Sequence, residues 1–141
     1  MKVKIVKLDL KYGLERVEII WKNKQFFAPF LSWVDFVNAK QDAIDKMLET
    51  IEREKDGKSQ TFHILLADTL VGQISIFDVT ECTAEIGYWL DQDFCGKGIM
   101  TQAIKLICKY GFEELILHRI EIRCDPKNEP SKKVAFRCGC L

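Results

Sequence analysis

The chain has 141 residues, enough for one domain with a substantial core, and 48% of them are apolar and 30% charged. Its 21 basic and 21 acidic residues cancel, which argues against a strong non-specific grip on nucleic acid or an anionic membrane. The first residues show no apolar stretch followed by a small-residue cleavage site. No run approaches the roughly eighteen apolar residues of a membrane span, so the expectation is a cytoplasmic protein.

In chain order, alternation over residues 3–10 predicts a strand, and Leu14, Val17 and Trp21 predict a helix with that face turned inward. Residues 26–33, aromatic-rich around Pro29, read as an irregular segment wrapping the core. Ile44, Met47, Leu48 and Ile51 form a second helical stripe, and residues 54–60, EKDGKSQ, a polar turn. Residues 61–67 and 70–79 read as strands joined by a hairpin turn at Asp68-Thr69, and residues 83–90 as a third strand. Ile99, Ala103, Ile107 and Tyr110 mark a helix. Residues 119–124 alternate again until Pro126 stops them, and residues 130–138 suggest a short helix with Pro130 in its first turn. The order β-α-α-β-β-β-α-β-α describes an α+β, or mixed α/β, single domain over residues 1–141. Its strands form a meander followed by a crossover, with helices on both faces.

The six cysteines, Cys82, Cys95, Cys108, Cys124, Cys138 and Cys140, are scattered through apolar segments and read as small hydrophobes in a reducing compartment. Cys138 and Cys140 lack a second ligand pair at zinc spacing, and neither His63 nor His118 sits in a metal-type repeat. No metal is expected.

Residues 93–104, DFCGKGIMTQAI, place Gly96, Lys97 and Gly98 directly before the predicted helix. Glycine lets a ligand approach the main chain, and the first N–H groups of a helix have no partner within it and carry partial positive charge. A pyrophosphate suits such a place. The loop fits neither the nucleoside-triphosphate pattern G-x-x-x-x-G-K-[ST] nor the dinucleotide pattern G-x-G-x-x-G, since Thr101 occupies the last position. Taken alone, Gly-x-Gly before a helix is equally a plain turn.

The segments AEIGYWLDQDFCGKGIMTQAI and FEELILHRIEIRCDPKNEPSKKVAFRCG together resemble the GNAT superfamily of acetyl-CoA-dependent N-acetyltransferases, and within it the RimJ/RimL type that acetylates the N-terminal amines of ribosomal proteins. The resemblance spans roughly residues 60–139. It implies a GNAT-like fold, a mostly antiparallel central sheet flanked by helices. It implies acetyl-CoA as co-substrate, with an amine, either a protein N-terminus or a small molecule, as acceptor. Gly96 and Gly98 match the family's pyrophosphate loop, while Asp93 stands where glutamine or arginine is usual. An acidic side chain there would oppose the pyrophosphate if it pointed inward. The resemblance assigns pyrophosphate binding to the backbone of Cys95, Gly96, Lys97, Gly98, Ile99, Met100 and Thr101. It places the pantetheine arm along the strand through Trp89 and Leu90, with a backbone N–H near Tyr88 polarising the thioester carbonyl. Asn128 and Ser131 match the family's N-x-x-S, the asparagine meeting the pantetheine and the serine protonating the departing thiolate. Lys132, Lys133 and Arg137 could meet a 3′-phosphate or simply be solvated surface charge.

Acetyl transfer requires a neutral amine, a held thioester, a stabilised oxyanion and a proton for the thiolate. Glu85 is the candidate general base, with a structural strand carboxylate as the alternative; His63 and His118 are weaker candidates. Cys95, beside a helix start, could have a lowered thiol pKa, although the chemistry needs no covalent intermediate. Family members continue past the segment corresponding to RCGCL with two more strands. The resemblance therefore implies a sheet whose C-terminal hairpin is missing and a homodimer or higher oligomer formed through the open edge. The rival reading is a relative that binds acyl-CoA without turnover. A polyamine or antibiotic amine as acceptor is a further alternative.

Overall fold

The computed structural model describes residues 2–29, 31, 33, 34 and 37–122. The strands β1 (Val3–Lys7), β2 (Gln60–Leu66), β3 (Thr69–Phe77) and β4 (Thr83–Leu90) lie side by side in sequence order and pair antiparallel. A crossover helix, α4 (Ile99–Glu113), then returns the chain to place β5 (Arg119–Ile122) parallel to β4. Between β1 and β2 run α1 (Gly13–Lys22), a single turn α2 (Lys24–Phe27) and α3 (Lys40–Arg53). This is the expected meander and crossover. The strand residues expected at 123–124 and the helix expected at 130–138 lie outside the described residues.

The sheet carries a core on each face. Ile74, Ile76, Ala84, Ile86 and Leu90 pack against Ile99, Met100, Ala103, Ile104 and Ile107 of α4. Leu65, Leu70 and Trp89 pack on the other face against Val17, Ile20, Phe27 and Ala43, contributed by the three N-terminal helices. On β4 the split follows the period of two: even-numbered residues face α4, and Trp89 faces α1. Burying apolar side chains on both faces supplies the main driving force for the fold, at about 25 cal/mol per Å².

Three local readings change. Leu14 is 77% exposed and Trp21 40% exposed, so of the face predicted for α1 only Val17 is buried. Helix α1 instead buries Arg16, Val17, Ile19 and Ile20. Arg16 can be inside because its Nε donates to Gln73 Oε1 at 2.9 Å and its Nη1 to the carbonyl of Ala43 at 3.0 Å, joining α1 to β3 and α3. Burial pushes its pKa down to about 10, still cationic at neutral pH. On α3 the buried line is Ala43, Met47 and Thr50, one step round from the expected stripe, and Leu48 faces solvent. The β2–β3 turn is centred on Ala67 and Asp68, both left-handed at φ 49° and 69°. Two positive φ angles match the twist of a tight hairpin, and Asp68 is among the residues that tolerate them. Lys4 on β1 holds Asp68 with an ion pair of 2.6 Å.

One irregularity shapes the sheet end that matters for function. The β2–β3 register slips between Ile64↔Gly72 and Leu65↔Leu70, leaving Val71 as an extra residue on β3. The slip changes the facing pattern, so Leu70 packs on the α1 side and Val71 on the α4 side. The Val71 carbonyl then accepts from Asp91 N at 2.8 Å, just past the end of β4. Gly72 is required there, since a Cβ would lie 2.4 Å from the Trp89 carbonyl oxygen and 3.1 Å from Leu90 Cα. Both neighbours are backbone and cannot swing aside. Gly72→Ala is expected to destabilise the fold by about 2–3 kcal/mol, read as a lower urea midpoint at unchanged slope. An unchanged midpoint would show that β3 and β4 can part at no cost.

Candidate active site

The site is built where β4 gives way to α4. Beyond Leu90 the chain makes a 3-10 turn, Gln92–Phe94, begun by Asp91. Aspartate is a favoured cap because its carboxylate accepts from the N–H groups that follow. Asp91, almost fully buried, accepts from Asp93 N at 3.2 Å and from Asn23 Nδ2 at 3.2 Å. Asn23, equally buried, also takes Gln92 N on its Oδ1 at 3.1 Å and gives its Nδ2 to the Ile19 carbonyl at 2.8 Å. The loop is thus bolted to the C-terminal end of α1. Lys22 Nζ completes the attachment at 2.9 Å from Asp91 Oδ2 and 2.8 Å from Asp93 Oδ2.

Gly96 and Gly98 follow, both left-handed at φ 78°. Nothing lies within 4 Å of where a Cβ would sit on either, so the space above the loop backbone is open. Gly98, the residue before α4, has no side chain with which to cap the helix, and the first turn of α4 contains no acidic residue. The first bond of the helix runs from Gln102 N to the Gly98 carbonyl at 3.2 Å. The N–H groups of Ile99 and Met100 therefore precede the helix's own carbonyls and face outward with its dipole. The side chains of Ile99 and Met100 are buried in the α4 core, which fixes the helix end while leaving its backbone donors presented. Lys97 is exposed, with its ammonium 5.6 Å from the Phe94 ring centroid. Left-handed glycines, open space and an uncapped helix start fit a pyrophosphate.

The other predicted residues separate into groups. Glu85 is buried on β4, beside Phe77 of β3 and Glu121 of β5 in the strand register. Tyr88 is half-buried and packs with the α4 core, and Leu90 closes the strand in that same core. Trp89 turns its indole to the opposite face, with its ring 5.3 Å from that of Phe27, so only its backbone is available along the strand. Cys95 is half-buried, and its thiol points to the Asp91 carbonyl at 3.7 Å. Burial and the Asp91 charge push this thiol's pKa up. The lowered value expected beside a helix start is thus reversed. Asp93 pairs with Lys22 on α1, which answers the concern that its charge would oppose a phosphate. That pairing, through hydrogen bonding and charge, lowers the Asp93 pKa. Asn128, Ser131, Lys132, Lys133, Arg137, Cys124, Cys138 and Cys140 lie outside the described residues.

The sequence reading missed Lys22, Asn23 and Asp91. The one local signal was Asp91 as a turn-starting aspartate. Neither histidine joins the site. His118 is exposed at the start of β5, its N–H bonded to the Cys82 carbonyl at 2.8 Å. His63 is fully buried, accepts from Asp9 N at Nε2 (3.0 Å) and has Tyr12 edge-on at 5.0 Å. Among the described residues no cluster of three or more histidine, cysteine, aspartate or glutamate side chains could hold a metal ion, and no helix is long and apolar enough to cross a membrane.

A mixed sheet that delivers a glycine loop and a helix start at the end of β4 has the geometry to receive a pyrophosphate-bearing ligand. Comparison with known proteins gives the family. Residues 12–141 match the family described as "Acetyltransferase (GNAT) domain". The ribosomal-protein-serine acetyltransferase of Escherichia coli is 33% identical over 126 residues, covering 88% of this chain and 70% of that protein. RimL, a ribosomal alpha-N-protein acetyltransferase solved with coenzyme A, superposes with a TM-score of 0.90 over 98% of this chain and 79% of its own, at 23% identity. The microcin C7 self-immunity acetyltransferase MccE, solved with acetyl-CoA and AMP, superposes with a TM-score of 0.86 over 98% of this chain and 78% of its own, at 33% identity. The chain belongs to the GNAT family of acetyl-CoA-dependent N-acetyltransferases.

His63 carries a prediction about acid stability. Burial, with a smaller contribution from the Arg16 charge, lowers its pKa to about 4 from the ordinary 6.5. Between those values the unfolded chain binds a proton that the folded chain refuses. Stability is therefore expected to fall as pH drops from 6.5 toward 4, by up to about 3 kcal/mol. Urea midpoints measured across that range should show a shallower acid slope for His63→Gln than for the wild type. Equal slopes would contradict a buried neutral imidazole.

Proposed function

We propose that the chain transfers the acetyl group of acetyl-CoA to the N-terminal amine of a protein, with a ribosomal protein as the acceptor. The observation that carries the donor half is the open, uncapped start of α4 behind Gly96 and Gly98. The acceptor half draws on the relative named a ribosomal-protein-serine acetyltransferase, at 33% identity.

In this reading the backbone of residues 95–101 binds the pyrophosphate, and the pantetheine arm lies along β4 by way of the Trp89 and Leu90 backbone. Glu85 is five residues back from Leu90, roughly 17 Å along the strand. That separation keeps its carboxyl away from the phosphates and leaves roughly 10 Å along the strand between Glu85 and Tyr88, a gap that a bridging water and the acceptor amine would span in this reading. Bound acetyl-CoA supplies the thioester. Tyr88 N–H polarises its carbonyl, Glu85 takes the proton of the attacking amine directly or through water, Asn128 holds the arm and Ser131 gives a proton to the departing thiolate. A second reading, an antibiotic amine as acceptor, draws on the 33% identity to the microcin C7 self-immunity acetyltransferase.

The test is an acetylation assay with N-terminal peptides of ribosomal proteins, polyamines and aminoglycosides. The expected result is a kcat/KM for a peptide at least tenfold above that of any small amine. Preference for a small amine would replace the acceptor, and no turnover with any amine would favour a binder without catalysis. Glu85→Gln is expected to lower kcat about a hundredfold with little change in the KM for acetyl-CoA. An unchanged kcat would make Glu85 a structural carboxylate.

A further inference from the structure

Residues 91–98 contain two carboxylates, Asp91 and Asp93, and one ammonium, Lys97. A dianionic ligand at Gly96–Gly98 would thus meet a loop of net negative charge. The structure supplies a counter-charge from outside the loop. Lys22 Nζ lies between the two carboxylates at 2.9 and 2.8 Å and brings the local sum to zero. Its two contacts differ in kind. The Asp91 side chain is only 5% exposed, whereas that of Asp93 is 71% exposed and that of Lys22 is 53% exposed. The exposed Lys22–Asp93 pair adds little to folding stability. It does set where the Asp93 charge sits, because an unpaired carboxylate on an exposed turn would be free to approach the glycines three and five residues on. Asn23 does the mechanical work of fixing Asp91 and Gln92, so Lys22 is left with an electrostatic task.

We propose that Lys22 is a positioning residue for the pyrophosphate of acetyl-CoA, drawing the exposed Asp93 carboxylate onto α1 and offsetting the charge of the buried Asp91, so that neither opposes the phosphates at the α4 start. The inference rests on the reading of the Gly96–Gly98 loop as the pyrophosphate site. Lys22 has no contact with the ligand in this account and acts through the two aspartates.

The experiment is calorimetric titration of acetyl-CoA, with steady-state kinetics, for the wild type, Lys22→Met, Lys22→Arg, Asp93→Asn and the Lys22→Met/Asp93→Asn double variant. Lys22→Met is expected to raise the Kd and KM for acetyl-CoA roughly three- to tenfold in low salt, and less at high salt. Its kcat should stay within about twofold, because the chemistry is untouched. Lys22→Arg should keep wild-type affinity, and adding Asp93→Asn to Lys22→Met should recover most of the loss. An unchanged Kd for Lys22→Met overturns the proposal. So does a double variant as weak as the single, since that pattern belongs to a loop that has lost its shape. A folded wild type that binds no acetyl-CoA instead overturns the loop assignment, and this inference with it.

Discussion

Helix α4 begins behind Gly98, which has no side chain to cap its first backbone donors, and the architecture among the described residues holds that start in place. Its apolar face is buried against the sheet through Ile99, Ala103, Ile104 and Ile107, so the helix cannot tilt to hide its end. The parallel β4–α4–β5 crossover directs that end toward the finish of β4. Two left-handed glycines then let the chain turn into the helix without placing a side chain over it. Removing any one of these features would cover the donors or misdirect them.

The two faces of the sheet divide the work. The α4 face is apolar and fixes the helix. The α1 face mixes apolar packing with buried polar groups: Arg16 meets Gln73, His63 meets Asp9, and Asn23 meets Asp91. Each of these contacts joins segments distant in sequence through a specific partner, which restricts how the face can be arranged, while His63 Nδ1 has no partner among the described residues. The last contact reaches the loop. The end of α1 therefore holds both the position of the turn after β4 and its electrostatic balance. The bulge at Val71 serves the same region by giving Asp91 N its acceptor.

Much of this was legible in the sequence. The strand over residues 83–90, the glycine loop and the crossover helix all carry local signals: alternation, Gly-x-Gly and a 3.6-residue period. What could not be read depends on contacts across the fold. Arg16 takes an inward position that the apolar pattern had assigned to Leu14 and Trp21, because Gln73 and Ala43 receive its guanidinium. Asp93 looked adverse to a phosphate until its partner appeared 71 residues earlier in the chain. For Cys95 the nearby helix start predicts a lowered thiol pKa, yet burial and the Asp91 charge prevail and raise it. The hairpin turn fell one residue from its expected place because Ala67 accepts a left-handed conformation that composition does not announce.

Comparing Gly96→Glu with Gly57→Glu in acetyl-CoA titrations tests the central claim most directly. Gly57 is left-handed at φ 77° with open space above it, as Gly96 is at φ 78°, but it lies in the turn before β2. The two substitutions impose the same backbone strain, about 1 kcal/mol. They differ in whether the added carboxylate faces the α4 start. The account predicts micromolar binding by the wild type and Gly57→Glu, and none by a Gly96→Glu protein that melts at the same temperature as Gly57→Glu. Equal binding by the two variants would contradict it, and would remove the pyrophosphate from the α4 start.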